Sequence, residues 1–195
     1  MYGLKIAKTE IRETYLQKRR DMPAEEKRKK EELLCLHFLR SASYRYYDTL
    51  LMYSPKPEEI DITPIALRAL SDGKRVAYPR CIAGSRLMDF HFVTNVDLPD
   101  QNGYGIKEPS ADSPKYDPAE SCCAVCLIPA ITFDRHGYRI GYGGGYYDRF
   151  LSRFKGTLAG VIFSDFITDS LPHGKFDLRA DTIFTEGGAV PVEKN

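Results

Sequence analysis

The chain has 195 residues, 43% of them hydrophobic, and its 28 lysines and arginines nearly balance 27 acidic residues. That length favours a single domain, 1–195, with enough apolar material for a sizeable core, and a net charge of +1 gives no reason to expect a nucleic-acid or membrane partner. No apolar stretch is long enough to span a membrane, and the charged segment Met1–Thr14 lacks the apolar core of a secretory leader, so a cytoplasmic protein is expected.

Lys5 to Arg20 is rich in charged helix formers, with Ile11, Tyr15, Ile6 and Leu16 on one apolar face. Asp21-Met22-Pro23 interrupts it, and Pro23 opens a second helix running to about Arg40. Leu33, Leu34, Leu36, His37, Phe38 and Leu39 should form the core face of that helix, while the Lys27–Glu32 charge run reads as solvated surface. Then strands and helices alternate. Thr49–Tyr53 is a short strand. Thr63–Ser71 is a helix with Pro64 in its first turn and Asp72-Gly73 after it. Arg75–Tyr78 is a strand stopped by Pro79, and Leu87–Val93 another. Asp97–Asp117, with Gly103, Gly105, Pro109 and Pro114, reads as a long loop, and long loops in compact domains are often functional. Ala124–Ile128 is the most continuous buried strand. Tyr146–Phe154 is a helix, Thr157–Phe163 a buried strand and Thr182–Phe184 a last short one. This alternation predicts an α/β fold, a three-layer α/β/α sandwich with a mostly parallel sheet and an N-terminal helical pair. Ligands of such sheets bind beyond the carboxyl ends of the strands.

The five cysteines form an odd, irregular set suited to a reducing compartment. Cys123 and Cys126 make a C-x-x-C beside Cys122. No second ligand pair follows at a useful spacing, and the segment reads as a strand, so core-filling thiols are expected. His91, His136 and His173 read as loop or surface residues, and His37 as part of a mostly apolar helix face.

The chemistry is concentrated in Arg139-Ile140-Gly141-Tyr142-Gly143-Gly144-Gly145-Tyr146-Tyr147-Asp148. Four glycines within five residues let another molecule approach the backbone, and the helix start that follows offers unpaired N–H groups to a phosphate. Asp148 adds a hard oxygen ligand for the Mg²⁺ that phosphates bring. The run is not a P-loop, which needs a Gly-Lys-Ser/Thr ending, and Tyr146 stands where a dinucleotide fingerprint needs its third glycine. A tight strand-to-helix connection would explain the glycines but not the flanking Arg139, Asp148 and tyrosines.

Phe133-Asp134-x-x-Gly137-x-Arg139 and the run just quoted resemble the signature of the 5-formyltetrahydrofolate cyclo-ligase family, also called methenyltetrahydrofolate synthetases. Shorter matches follow the family's order along nearly the whole chain: Lys8 and Arg12, Glu59-Ile60-Asp61, Tyr78-Pro79-Arg80, Gly105-Ile106-Lys107-Glu108-Pro109, Leu171-Pro172, and Asp177 through Glu186. Ala124 and Ala130 depart from the family's usual acidic and glycine residues around the strand before the signature.

The resemblance implies conversion of 5-formyltetrahydrofolate to 5,10-methenyltetrahydrofolate with ATP and Mg²⁺. Its implied ATP contacts are Lys8, Arg12, Arg139, Ile140, Gly141, Tyr142, Gly143, Gly144, Gly145, Tyr146 and Tyr147. Lys8 and Arg12, spaced i, i+4, share a helix face. Ser54 and Glu59 are the expected folate contacts, with Tyr142 to Tyr146 shared between both substrates. Arg139 and Tyr146 are the expected catalytic residues. Asp148 and Asp177 are the expected metal ligands, with Asp181 in reserve. Partners should be small molecules alone, and a monomer is the default. Two other readings stay open: a nucleotide-binding domain of the same fold without catalysis, and a sugar-phosphate isomerase on a related scaffold.

Overall fold

A computed structural model describes residues 2–120 and 123–193. The chain opens with α1 (Tyr2–Arg20), whose last turn carries Lys18, Arg19 and Arg20 against the negative end of the helix. α2 (Ala24–Arg40) starts after Pro23 with Glu25 and Glu26 in its first turn. Four i, i+4 ion pairs, Glu25–Lys29, Glu26–Lys30, Lys27–Glu31 and Arg28–Glu32, line it. The charge run is not all solvated: Lys27 donates to the Pro57 carbonyl at 3.0 Å, and Lys30 donates to Asp165. The core face of α2 is Leu34, Cys35 and Phe38, while Leu33 and Leu36 are exposed. At about 100° per residue the latter two fall on the opposite side of the helix from Phe38, which corrects the broader apolar face expected from sequence.

The remaining elements run α3 (Ala42–Tyr46), β1 (Thr49–Leu51), α4 (Thr63–Ser71), β2 (Arg75–Cys81), β3 (Met88–Val93), β4 (Asp100–Gln101), β5 (Lys107–Glu108), β6 (Ala124–Pro129), β7 (Thr132–Asp134), β8 (Arg139–Ile140), α5 (Tyr146–Leu151), β9 (Thr157–Val161), β10 (Ile167–Thr168), β11 (Thr182–Thr185) and β12 (Gly188–Pro191). Seven strands make the main sheet in the order β12-β11-β9-β6-β1-β2-β3. The five inner strands are parallel, and β3 and β12 close the edges antiparallel. Taken in chain order, the inner strands lie 2-1-3-4-5. The order therefore reverses between β1 and β6, and that switch point is where an open α/β sheet places its ligand. A hairpin, β7–β8, with β10 beside β7, forms a small second sheet.

β2 runs through Pro79 to Cys81 rather than stopping before it. β1 pairs only as far as Ala77, so from Pro79 onward β2 has a neighbour on one side alone, where a missing N–H is tolerated. The long loop holds the hairpin β4–β5, pinned by the buried Glu108, which accepts from the Cys81 N–H at 2.9 Å and from Asn102 at 2.8 Å. His91 is buried on β3, not on the surface, and donates from Nδ1 to the Ser113 carbonyl at 2.8 Å. Cys126 is buried, and burial pushes its thiol up, while Cys123 is exposed; the pair does not share one environment. Cys122 lies outside the described residues. No helix among those described is long and apolar enough to cross a membrane.

Candidate active site

The small sheet aims Arg139. Asp134, buried at the end of β7, accepts the His136 and Tyr138 N–H groups at 3.0 and 2.9 Å and so shapes the turn into β8. Its other oxygen accepts the Leu171 N–H at 2.9 Å, tying the 169–181 loop to the same turn. Gly137 has φ +85°, and a Cβ there would stand 2.7 Å from the Ala180 carbonyl, so this close approach requires glycine. These contacts explain why the signature begins at Phe133-Asp134, well before its glycines.

Arg139 then lies among carboxylates. Its Nη2 donates to Asp148 Oδ1 at 2.7 Å and its Nη1 to the Leu178 carbonyl at 3.0 Å, with the side chain 6% exposed. Asp177 Oδ2 accepts from Lys8 Nζ at 2.5 Å and from the Gly174 N–H at 2.6 Å. Burial raises the Asp177 carboxyl, but the bonds from Lys8 and Gly174 and the charges of Lys8 and Arg139 outweigh it, leaving the group below its usual range. Lys8, Asp177, Arg139 and Asp148 thus alternate in sign. Asp181 is engaged with the sheet: its Oδ2 accepts the Leu158 N–H and its own N–H donates to the Leu158 carbonyl, both at 2.8 Å.

The glycine loop lies under α1. Arg12 Nε donates to the Gly141 carbonyl at 2.9 Å, and its guanidinium covers Gly143. Gly143 and Gly145 have φ +91° and +72°. A Cβ on Gly141 would meet nothing within 4 Å, whereas one on Gly144 would stand 2.9 Å from the Tyr146 ring. The loop is therefore open at its first glycine and packed at its third. Ile140 is buried, so only its backbone can face a ligand. Tyr146 reaches the β2–β3 turn and the β4–β5 hairpin, its hydroxyl 3.3 Å from both the Ser85 carbonyl and the Tyr104 hydroxyl. Hydrogen bonding to Tyr104 raises its phenol above the ordinary range, and its hydroxyl donates to the Ser85 carbonyl. Tyr147 turns inward; its hydroxyl is buried with no hydrogen-bond partner among the described residues.

On its other side the loop meets the switch point. Tyr142 donates to Glu58 Oε1 at 3.3 Å, and its ring receives the Lys56 ammonium 4.2 Å from the centroid. Glu59 is buried, accepts the Lys56 N–H at 2.9 Å, and lines a narrow crevice with Arg19, Tyr53, Pro129 and Ala130. Burial raises its carboxyl above the usual range, against the lowering effect of the Lys56 N–H and ammonium and of Arg19. Ser54 stands half-buried just past β1 in the same segment.

Three contributors escaped the sequence reading: Lys56, Glu58 and Arg19. The signal for Arg19 was present. At about 100° per residue, Lys8, Arg12 and Arg19 fall within a narrow stripe of α1, yet Arg19 reads as one more solvated charge. That stripe, with Tyr15, faces inward, while Ile6 is 44% exposed. α1 lays basic side chains on the protein beside Tyr15 of the expected apolar face, with Ile11 and Leu16 half-buried and Ile6 alone of the four exposed.

Fold and site together define a doubly wound α/β protein with a cation-and-carboxylate cluster and a glycine loop beside its switch-point crevice. Residues 4–186 match the profile of the 5-formyltetrahydrofolate cyclo-ligase family, and the chain belongs to that family of enzymes. A "Probable 5-formyltetrahydrofolate cyclo-ligase" of Schizosaccharomyces pombe is 28% identical over 124 residues, which span 63% of this chain and 60% of that protein. One of Caenorhabditis elegans is 26% identical over 97% of this chain and 98% of its own length. The solution structure of Aquifex aeolicus 5,10-methenyltetrahydrofolate synthetase superimposes with a TM-score of 0.82 at 26% identity, covering 96% of this chain and 94% of that one.

Proposed function

We propose that this protein converts 5-formyltetrahydrofolate to 5,10-methenyltetrahydrofolate, consuming ATP and releasing ADP and phosphate. The observation that carries the reading is the convergence of Lys8, Arg12 and Arg139 with Asp148 and Asp177 around a glycine loop whose Tyr142 hydrogen-bonds Glu58, the neighbour of the buried Glu59. A formamide oxygen leaves poorly. Its attack on the γ-phosphorus, with cleavage of the bond to the β-phosphate oxygen, makes it a phosphate ester. N10 then attacks the formyl carbon and gives up its proton to solvent, and the C–O bond breaks as phosphate departs with the former formyl oxygen.

The protein's part is positioning and charge neutralisation. Lys8, Arg12 and Arg139 hold the triphosphate over Gly141 to Gly145, and Tyr142, Tyr146 and the backbone of Ile140 and Tyr147 complete that wall, the Ile140 side chain and the Tyr147 hydroxyl being buried away from it. Glu59 accepts paired hydrogen bonds from the pterin's amino and ring N–H groups, with Ser54 beside it. Tyr146, as a neutral phenol, donates towards the formyl group.

Mg²⁺ fits the donor set. Among the described residues Asp148 Oδ2 and Asp177 Oδ1 accept no hydrogen bond, and no trio of protein ligands is assembled. Mg²⁺ suits such a site, since it takes one or two carboxylates and completes its shell with phosphate oxygens and water. There it would neutralise charge on the phosphates. The protein works as a cytoplasmic, single-domain monomer on small molecules, without a nucleic-acid or membrane partner.

The test is the absorbance rise of the methenyl product when purified protein receives 5-formyltetrahydrofolate, ATP and Mg²⁺. Folded protein that binds ATP and gives no rise would replace this reading with a non-catalytic nucleotide-binding one.

A further inference from the structure

Arg19 is the basic residue of the α1 stripe that the reaction as described leaves unused. Its guanidinium is half-buried against the Phe166 ring, 5.4 Å from the centroid. It donates to the Ala130 carbonyl, to the Ile131 carbonyl at 3.2 Å and to the Glu58 carbonyl at 3.4 Å. Ala130 and Ile131 follow β6, and Glu58 lies in the segment after β1. One side chain therefore ties together the two strand ends that flank the switch point. It also lines the crevice with Glu59. At 1.5 Å per residue, Arg19 lies about 16 Å along the helix from Lys8, so α1 spans from the phosphate end of the site to the pterin end.

We propose that Arg19 is a positioning residue for the folate: it fixes the β1 and β6 ends relative to each other and presents a fixed positive charge beside Glu59. This rests on the assignment of Glu59 to the pterin. The planar fork suits the task, because one guanidinium can satisfy several carbonyls while remaining charged at any working pH.

The other groups facing Glu59 are the Lys56 ammonium and N–H and Glu58 from its own segment, Tyr53 after β1, Tyr142 from the glycine loop and Tyr147 from α5. The net cationic support for Glu59 therefore comes from Lys56 and Arg19. Burial already raises the Glu59 carboxyl, so folate binding is lost as pH falls through that raised value. Removing Arg19 lifts the carboxyl further and moves the loss to higher pH.

The experiment is equilibrium binding of 5-formyltetrahydrofolate across pH, by calorimetry without nucleotide, to wild type, Arg19→Gln, Arg19→Lys and Glu59→Gln. ATP affinity is measured alongside as a control. Arg19→Gln is expected to weaken folate binding about tenfold or more, the scale of a charge-assisted hydrogen bond. Its acid loss should move to higher pH while ATP affinity is kept. Arg19→Lys should keep the wild-type pH dependence but recover only part of the affinity, since an ammonium cannot fork between carbonyls. In a Glu59→Gln background, Arg19→Gln should add no pH effect. Folded Arg19→Gln with wild-type folate affinity and pH dependence would overturn the proposal. Should Arg19→Gln not fold, full wild-type affinity in Arg19→Lys overturns it instead. Wild type and Glu59→Gln binding the folate equally would refute the pterin assignment itself, a separate outcome.

Discussion

Asp148→Asn probes the charge cluster most directly, because Asp148 serves Arg139 and, as proposed, Mg²⁺. The Arg139 side chain is 6% exposed and Asp148 35%, at 2.7 Å. Stranding a fully buried charge costs about 3–5 kcal/mol, whereas an exposed pair is worth about 0–1 kcal/mol. Asn keeps an acceptor oxygen, and the Leu178 carbonyl still holds Arg139, so the cost should fall between these, about 1–2 kcal/mol. For a chain of this size that lowers the midpoint of thermal unfolding by about 2–8 °C. Thermal unfolding without nucleotide reads this effect alone. Turnover against Mg²⁺ concentration reads the second role: the variant should need far more metal, while folate binding stays near wild type. An unchanged midpoint would refute the energetic argument for the ion pair, and an unchanged Mg²⁺ requirement would remove Asp148 from the metal site.

Asp177→Asn should destabilise the protein at neutral pH, and the deficit should vanish in acid. The lowered Asp177 carboxyl contributes stability above its unfolded value that is lost as pH falls through its folded one; a deficit of constant size across pH, by denaturant titration, would contradict this. Tyr147→Phe removes a buried hydroxyl that has no partner among the described residues. An unsatisfied group of this kind costs about 1–3 kcal/mol, so the variant should be at least as stable as wild type in urea unfolding, and a clear loss of stability would reveal a bond the hydroxyl makes. Gly160→Ala would put a Cβ 2.6 Å from the ring of Phe133, itself fully buried, and such overpacking should cost about 1–3 kcal/mol; an unperturbed midpoint would show that the ring can move aside.

Periodicity and punctuation were enough to read the parallel sheet. Pro64 and Asp72-Gly73 bracketed α4 at its observed ends, and continuous apolar runs marked β6 and β9. What stayed hidden depends on long-range pairing. Pro79 reads as a strand stop until β1 is known to have ended beside it. The two-residue strands β8 and β10 carry no period of their own. Within the site, the glycine loop and the Lys8–Arg12 spacing could be read locally. The pairing of Lys8 with Asp177 could not, nor could that of Arg139 with Asp148, because a sequence shows charges without showing which of them meet. Arg19 was missed for the same reason: its partners are backbone carbonyls, which have no letter in the sequence.

The ion pair between Lys8 and Asp177 joins residues separated by 169 positions. On a ribosome adding about 5–20 residues per second, α1 emerges roughly ten to thirty seconds before the loop it must grip. For most of that interval its basic stripe has neither the carbonyls after β6 nor the glycine loop to hold, and Lys8 waits to the end of it for Asp177. The first helix made is thus among the last to dock, and the site closes as a late act of folding. Fusions or deletions at the N-terminal end of the chain should therefore disturb the charge cluster sooner than the sheet that carries it, whereas the C-terminal end is itself β12 of that sheet.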